Sequence, residues 1–380
     1  DKASHSKPGG GGKDKVRREP GRPLLLVQSC PSLLGEGEQR EEALGPMSMF
    51  DKYEIDLQKK YGQGGYGVTV AAKVKATNEP VAVKLIDMGK QKLAGIQKEC
   101  SIMSMIDHPN VIKCKDHGVG EGSMKRFYFI FMEVASGGEL FDQVIDRGAA
   151  AMPEPVARGY FTPILNSVRV CHSYGIAHRD LKLENVLLNG AGVVKLIDFG
   201  LAHIYPRGVD GKVDHSKPLK DVCGSKSYAA PEVLSATTFG GYDGFACDAW
   251  SLGVCLFAMV SGFFPLDEAS TNDWRYERLK AEQARHVSTT GVVYGWYKRT
   301  TGHLSRELID LLDRLLTIDP SKRLSLEEVA EHPWVTEQKL EPPNTEVNAD
   351  DYPVYRSINV GAFEPNPSAM DFDEMPVCKQ

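Results

Sequence analysis

His178-Arg179-Asp180-Leu181-Lys182-Leu183-Glu184-Asn185, followed by Asp198-Phe199-Gly200, is the stretch on which the reading of this chain turns. Three carboxylates, a lysine and an asparagine fall within it, bordered by β-type apolar residues. The run Val193-Val194-Lys195-Leu196-Ile197 predicts a buried strand that delivers Asp198 at its end. Phosphoryl transfer asks little covalent chemistry of a protein. It asks for in-line positioning, metal ions against the phosphates and a group that takes the hydroxyl proton. Asp180 is suited to that proton, and Asn185 and Asp198 offer hard oxygen ligands of the kind Mg²⁺ takes. Taken alone, an acid after a strand is more often a turn residue. The two elements in this order and spacing make chance a poor explanation.

Composition narrows the class independently. The chain has 380 residues, 42% hydrophobic and 25% charged, which is ordinary for a globular protein with a substantial core. A net charge of -6 argues against a general nucleic-acid binder. No long uninterrupted apolar run stands in the sequence, so no membrane span is expected. Leu24-Leu25-Leu26-Val27, after Arg17, Arg18 and Arg22, is too short for the apolar region of a signal peptide. The 8 cysteines lack metal-site spacing, and Cys114, Cys247 and Cys255 sit in apolar surroundings. They read as small core residues of a reducing compartment, the cytoplasm, with the nucleus as the alternative.

Residues 178–185 and 198–200 resemble the catalytic loop H-R-D-x-x-x-x-N and the D-F-G motif of protein kinases. The resemblance covers roughly residues 53 to 335 and implies an α+β, two-lobed fold over 50–335. A small β-rich N-lobe would occupy 50–134 and a larger helical C-lobe 135–335. The implied cofactors are ATP and Mg²⁺, and the implied partners are protein substrates with serine or threonine acceptors. Upstream, Gly62, Gly64 and Gly67 form a glycine-rich stretch followed by β-type residues rather than a helix. Such a loop lets backbone N–H groups close over nucleotide phosphates. Strand alternation puts Ala82 and Lys84 on one face, toward the adenine and phosphates. Helical spacing of Ile96, Met103 and Ile106 marks 93–106 as a helix carrying Glu99, which the family pairs with the strand lysine. Solvation is the plain alternative for that glutamate.

By the same resemblance, Phe127–Ala135 is a buried strand running into the interlobe hinge. Met132 backs the adenine pocket, Glu133 and Ala135 offer their backbone to it, and Leu187 lies beneath the base. The catalytic roles fall on Asp180 as base, on Lys182 beside the transferring phosphoryl and on Asn185 with Asp198 for the metal. Ser136 is expected to cap the helix after the hinge, and 153–175 to form a further helix. Cys223-Gly224-Ser225 and Ala230-Pro231-Glu232 resemble the end of a serine/threonine-type activation segment, with Ser225 supporting Asp180 and Lys182. Asp248 opens an apolar helix and is expected to bind the catalytic loop, while Arg323 is expected to pair with Glu232. Residues 267–303 match the family least and read as a variable helix and loop. The ending Glu331-His332-Pro333-Trp334 looks closest to the calcium/calmodulin-dependent-like group. Thr69 stands where the glycine loop usually carries valine.

Residues 1–49 read as a disordered leader, with Met47 or Met49 the expected native start and a short partner-touching basic tail the alternative. Residues 336–380 read as an acidic, mostly disordered tail, and both tails are candidate sites for a regulatory partner. Glu139 and Glu184 sit where basophilic relatives receive an arginine three residues before the acceptor; Ala258 replaces the acid that would select a second one. Asp221 holds the register of a common activating phosphorylation and is expected to pair with Arg179. Two other classes compete: a scaffold that keeps the fold without the chemistry, and a small-molecule phosphotransferase. No catalytic residue is missing, which weighs against the first. The Ser225-to-Glu232 peptide platform weighs against the second.

Overall fold

The computed structural model describes residues 48–64, 67–148 and 151–336. The expected leader up to Met47 and the tail from 337 lie outside the described residues. Ser48 and Met49, assigned to the leader by sequence, are ordered instead. The Ser48 hydroxyl accepts from Phe50 N at 3.2 Å and caps a short helix α1, Met49–Lys52.

Strand β1 (Tyr53–Gly64) and β2 (Gly67–Val74) form the glycine-rich hairpin, followed by β3 (Pro80–Asp87), helix α2 (Leu93–Met105), β4 (Cys114–Val119) and β5 (Phe127–Met132). The sheet is antiparallel throughout, in the order β1-β2-β3-β5-β4. Its two faces follow from strand periodicity. Val81, Val83 and Leu85 of β3 join Phe129, Phe131 and Tyr53 on one side. Ile86 and Ile130 face the other, where Ile96, Cys100, Ile102 and Met103 of α2 cover them. Ala82 and Lys84 share that second side, as alternation requires. Near the loop the hairpin is drawn tight, and a Cβ on Gly67 would sit 1.8 Å from the Leu85 carbonyl oxygen.

Beyond the hinge come α3 (Leu140–Ile145), α4 (Glu154–Ser173), β6 (Ile176–Ala177), β7 (Val186–Leu188), β8 (Val194–Leu196) and β9 (His203–Ile204). These short strands pair as β7-β8 and β6-β9 and present the loops between them to the cleft. The lobe continues with α5 (Pro231–Leu234), α6 (Ala236–Phe239), α7 (Gly244–Ser261), α8 (Trp274–Gln283) and α9 (Thr289–Trp296). It closes with α10 (Arg306–Leu315), α11 (Leu326–Glu331) and α12 (Pro333–Thr336). By length and composition α7 passes as a membrane-crossing helix, a property the sequence reading did not assign to any segment. Its side chains are buried within the lobe, and α4 and α10 pack on it.

Three local expectations need correction. The strand expected at 193–197 is trimmed to Val194–Leu196, with Val193 exposed and Lys195 buried against Glu133 of the hinge. Ser136 does not cap α3; Glu139 holds that position without a side-chain cap. Residues 267–303 are more regular than expected, because Asp273 and Ser288 cap α8 and α9 through their side chains.

Candidate active site

On β3, Lys84 stands in register with Thr69 of β2 and Ile130 of β5. Its Nζ lies 2.7 Å from Glu99 Oε1 and 3.9 Å from Asp198 Oδ1. Glu99 is only 2% exposed, which rejects simple solvation for it. Burial alone would depress the Lys84 ammonium, but the Glu99 and Asp198 carboxylates override it and hold the lysine above its ordinary range. Asp198 answers the same logic. Burial opposes its charge, and Lys84 together with the Gly200 N–H at 3.1 Å outweighs burial, leaving the carboxylate below its usual range.

The catalytic loop is built on strained backbone. Arg179 and Asp198 adopt left-handed φ of 65° and 62°, a conformation that costs about 1–3 kcal/mol for such residues. Asp248 of α7, fully buried, offsets it from below. Its carboxylate accepts from the backbone N–H groups of His178 and Arg179 at 2.8 Å each, with His172 Nε2 at 2.9 Å. His178 Nε2 in turn lies 3.1 Å from the Ile197 carbonyl, tying the loop to the residue before Asp198.

Above this base, Asp180 is fixed at both oxygens. Oδ1 accepts from Ser225 N at 3.0 Å and Ser225 Oγ at 3.1 Å, and Oδ2 lies 3.0 Å from Lys182 Nζ. Lys182 also donates to Ser225 Oγ at 2.8 Å. Asn185 Nδ2 donates to the Asp180 carbonyl at 2.9 Å and to Oδ2 at 3.1 Å. Its amide oxygen therefore has no protein partner among the described residues. That oxygen and the half-exposed Asp198 carboxylate make an oxygen-only donor set, and Ile197 N donates to Asn185 O at 2.9 Å, tying Asn185 to the residue before Asp198. Two oxygen ligands fit Mg²⁺, which leaves most of its positions to water and phosphate.

The remaining expected residues lie on β1, β2, β5, β7 and the segment that follows β5. Gly64 pairs with Gly67 across the hairpin that also holds Gly62, while Gly65 and Tyr66 lie outside the described residues. Met132 sits in register with Ala82. Glu133 spends its side chain on Lys113 N (2.9 Å) and Lys195 Nζ (2.7 Å) and its backbone N–H on the Lys113 carbonyl (3.2 Å), which leaves its carbonyl oxygen as the remaining backbone group. Ala135 packs on the C-lobe core and Leu187 of β7 is half-buried beside the hinge. Glu139 shares its corner of the C-lobe with Asp142 and Glu184, and burial together with their charges pushes its carboxyl above the usual range.

Sequence reasoning missed Tyr228. Its hydroxyl donates to Glu184 Oε2 at 2.9 Å and accepts from Leu183 N at 3.4 Å, joining the activation segment to the catalytic loop. Its place three residues after Ser225 was the only signal. The expected long-range pairs are formed. Arg323 donates to Glu232 from Nη1 and Nη2, at 2.5 and 3.0 Å. Arg179 Nη1 lies 2.8 Å from Asp221 Oδ2, and Arg179 Nε donates to the Leu201 carbonyl at 2.8 Å.

Comparison with known proteins agrees with this geometry. The family described as protein kinase domain matches residues 55–335. The chain is 35% identical over 285 residues to a probable serine/threonine-protein kinase MARK-A of Dictyostelium discoideum, covering 74% of this chain and 24% of that protein. It is 35% identical over 293 residues to CBL-interacting serine/threonine-protein kinase 16 of Arabidopsis thaliana, covering 75% and 57%. Against serine/threonine-protein kinase SIK1 of Rattus norvegicus it is 32% identical over 310 residues, covering 81% and 35%. The chain thus spans between 24% and 57% of the length of these curated relatives.

Proposed function

The chain belongs to the eukaryotic-type serine/threonine protein kinase family, close to its calcium/calmodulin-dependent-like group, and from that premise we propose that it transfers the γ-phosphoryl of ATP to serine and threonine hydroxyls of protein substrates. One observation carries this reading: Lys84 of the N-lobe reaches Glu99 at 2.7 Å and Asp198 of the C-lobe at 3.9 Å. The nucleotide-facing lysine and the metal-facing carboxylate thus belong to one assembled site.

In the proposed reaction the acceptor oxygen bonds to the γ-phosphorus as the bond to the bridging oxygen breaks, and ADP leaves. Asp180 orients the acceptor hydroxyl and takes its proton. Because Ser225, Lys182 and Asn185 already fix both its oxygens, little reorganisation is left for the moment of transfer. Lys182 offsets the charge on the transferring group. Lys84, held by Glu99, orients the α- and β-phosphates. Asn185 and Asp198 would hold Mg²⁺, which when bound neutralises the nucleotide phosphates.

The acidic corner formed by Glu139 and Glu184 supports a preference for arginine three residues before the acceptor, through charge-assisted hydrogen bonds. Purified protein with Mg²⁺ and γ-labelled ATP, spotted on a peptide array, tests both levels. Label should appear on serine and threonine peptides and be strongest with that arginine. Label on no peptide, from protein that binds ATP, would favour the scaffold reading. Selection of proline or acid, with indifference to the arginine, would overturn the substrate preference alone.

A further inference from the structure

We propose, building on the kinase reading, that Lys98 is a positioning residue: it ties α2 to the segment after Asp198-Phe199-Gly200 and so keeps Glu99 within reach of Lys84. Lys98 stands one residue before Glu99 on α2 and is half-buried. Its Nζ donates to the Ala202 carbonyl oxygen at 2.7 Å, across 104 positions of the chain. A helix lysine is most often left to water. This one is spent on a main-chain oxygen of the C-lobe.

That acceptor is a fixed point. Ala202 is fully buried, and its N–H closes a turn on the Phe199 carbonyl at 3.1 Å. The two residues after it, His203 and Ile204, form β9 and pair with Ala177 and Ile176 of β6. The carbonyl just before it, that of Leu201, accepts from Arg179 Nε at 2.8 Å. Two successive carbonyls behind Asp198 are thus held by two cations from different elements. Arg179 adjoins Asp180, and Lys98 adjoins Glu99. Burial and then the Arg179 charge draw the Lys98 ammonium below its ordinary range, while the Asp221 and Glu99 charges oppose them, in keeping with two cations gathered at one turn. Elsewhere α2 rests on the sheet through Ile96, Cys100, Ile102 and Met103. Apolar burial is non-directional, so it holds the helix against the sheet without fixing its reach toward the C-lobe. The bond from Lys98 is directional, and it favours the position of α2 in which Glu99 meets Lys84 at 2.7 Å.

Full-length wild type, Lys98→Met and Lys98→Arg are compared by hydrogen exchange, melting and steady-state transfer to one peptide. Methionine keeps the apolar stem without the donor, and arginine keeps a donor. In Lys98→Met the α2 amides should exchange faster and kcat should fall by about 10-fold, the weight of one hydrogen bond from a charged group. The KM for peptide should be little changed, and the melting temperature should stay within about 5 °C of wild type. Lys98→Arg should recover most of both losses. Wild-type exchange and kcat in Lys98→Met would overturn the proposal. So would a fall in kcat with α2 exchange unchanged, or one that arginine does not recover. Wild-type protein that labels no peptide would end the kinase reading, and the exchange comparison, which needs no transfer, would still decide whether Lys98 ties α2.

Discussion

Ser225 donates twice to Asp180, from its backbone and its hydroxyl, and receives Lys182 in return. Truncation to alanine removes the hydroxyl and loosens Asp180 and Lys182 while leaving the backbone contact. Ser225→Ala should therefore lower kcat by about 10-fold, the weight of one or two charge-assisted hydrogen bonds, with the KM for ATP little changed. Steady-state kinetics on one peptide would check it, and a change confined to the ATP KM would contradict it. Lys84→Met acts on the other side of the cleft. It leaves the buried Glu99 without its cation, so nucleotide affinity should drop together with stability, read by ATP titration and a melting curve. At this scale the sequence was most informative. Asp180, Lys182, Asn185, Asp198 and Lys84 were legible because each stands in a short local pattern. Tyr228 with Glu184 and Lys195 with Glu133 were not, because those partners lie far apart in the chain and no local pattern marks them.

Helix α7 was legible from its apolar run, and the contact of Asp248 with the catalytic loop from the family resemblance rather than from the run. In the structure that carboxylate satisfies two buried N–H groups of the catalytic loop. Asp248→Ala would strand both, at about 1–3 kcal/mol each, and should lower the melting temperature by roughly 5–15 °C. A shift under a degree would remove Asp248 from this role. In 267–303 one helix with a loop was read where the structure has two helices, because their caps at Asp273 and Ser288 sit in a stretch without clear periodicity. The activation segment carries a further test. Asp221 feels an opposing effect of burial, but the Arg179 charge and hydrogen bond prevail and hold it below the usual carboxylate range. Its contribution is thus in place above about pH 4, the ordinary carboxylate value, and is lost only as the pH falls through the lowered one. A phosphate there would instead titrate near pH 6. Activity should be unaffected by phosphatase, and Asp221 should add no titration between pH 6 and 8. Asp221 is 60% exposed, so the pair is worth under about 1 kcal/mol. Asp221→Ala should cost at most about 5-fold in kcat/KM, and loss of activity on phosphatase treatment with Asp221→Ala unchanged would sink the idea.

Across the whole molecule, the two lobes of described residues meet where Lys84, Glu99 and Asp198 converge, and Asp180 stands on the C-lobe side of that junction with its oxygens already committed. The division into a β-rich and a helical lobe was legible through the resemblance of the motifs to the kinase family, and the strand alternation at Ala82 and Lys84 and the helical spacing of 93–106 agree with it. Ser48 and Met49, read as part of the leader, instead cap and open α1, and a lone serine cap carries little signal in a sequence. The central claim is that this junction is a phosphoryl-transfer site with Asp180 receiving the proton. Side-by-side transfer rates for wild type and Asp180→Asn, with ATP binding and melting measured on the same preparations, test it most directly. The exchange replaces one oxygen by an amide nitrogen of nearly equal size. Transfer should therefore fall by about 10²–10⁴-fold while nucleotide affinity and melting temperature stay close to wild type. Equal transfer rates in the two proteins would contradict the account.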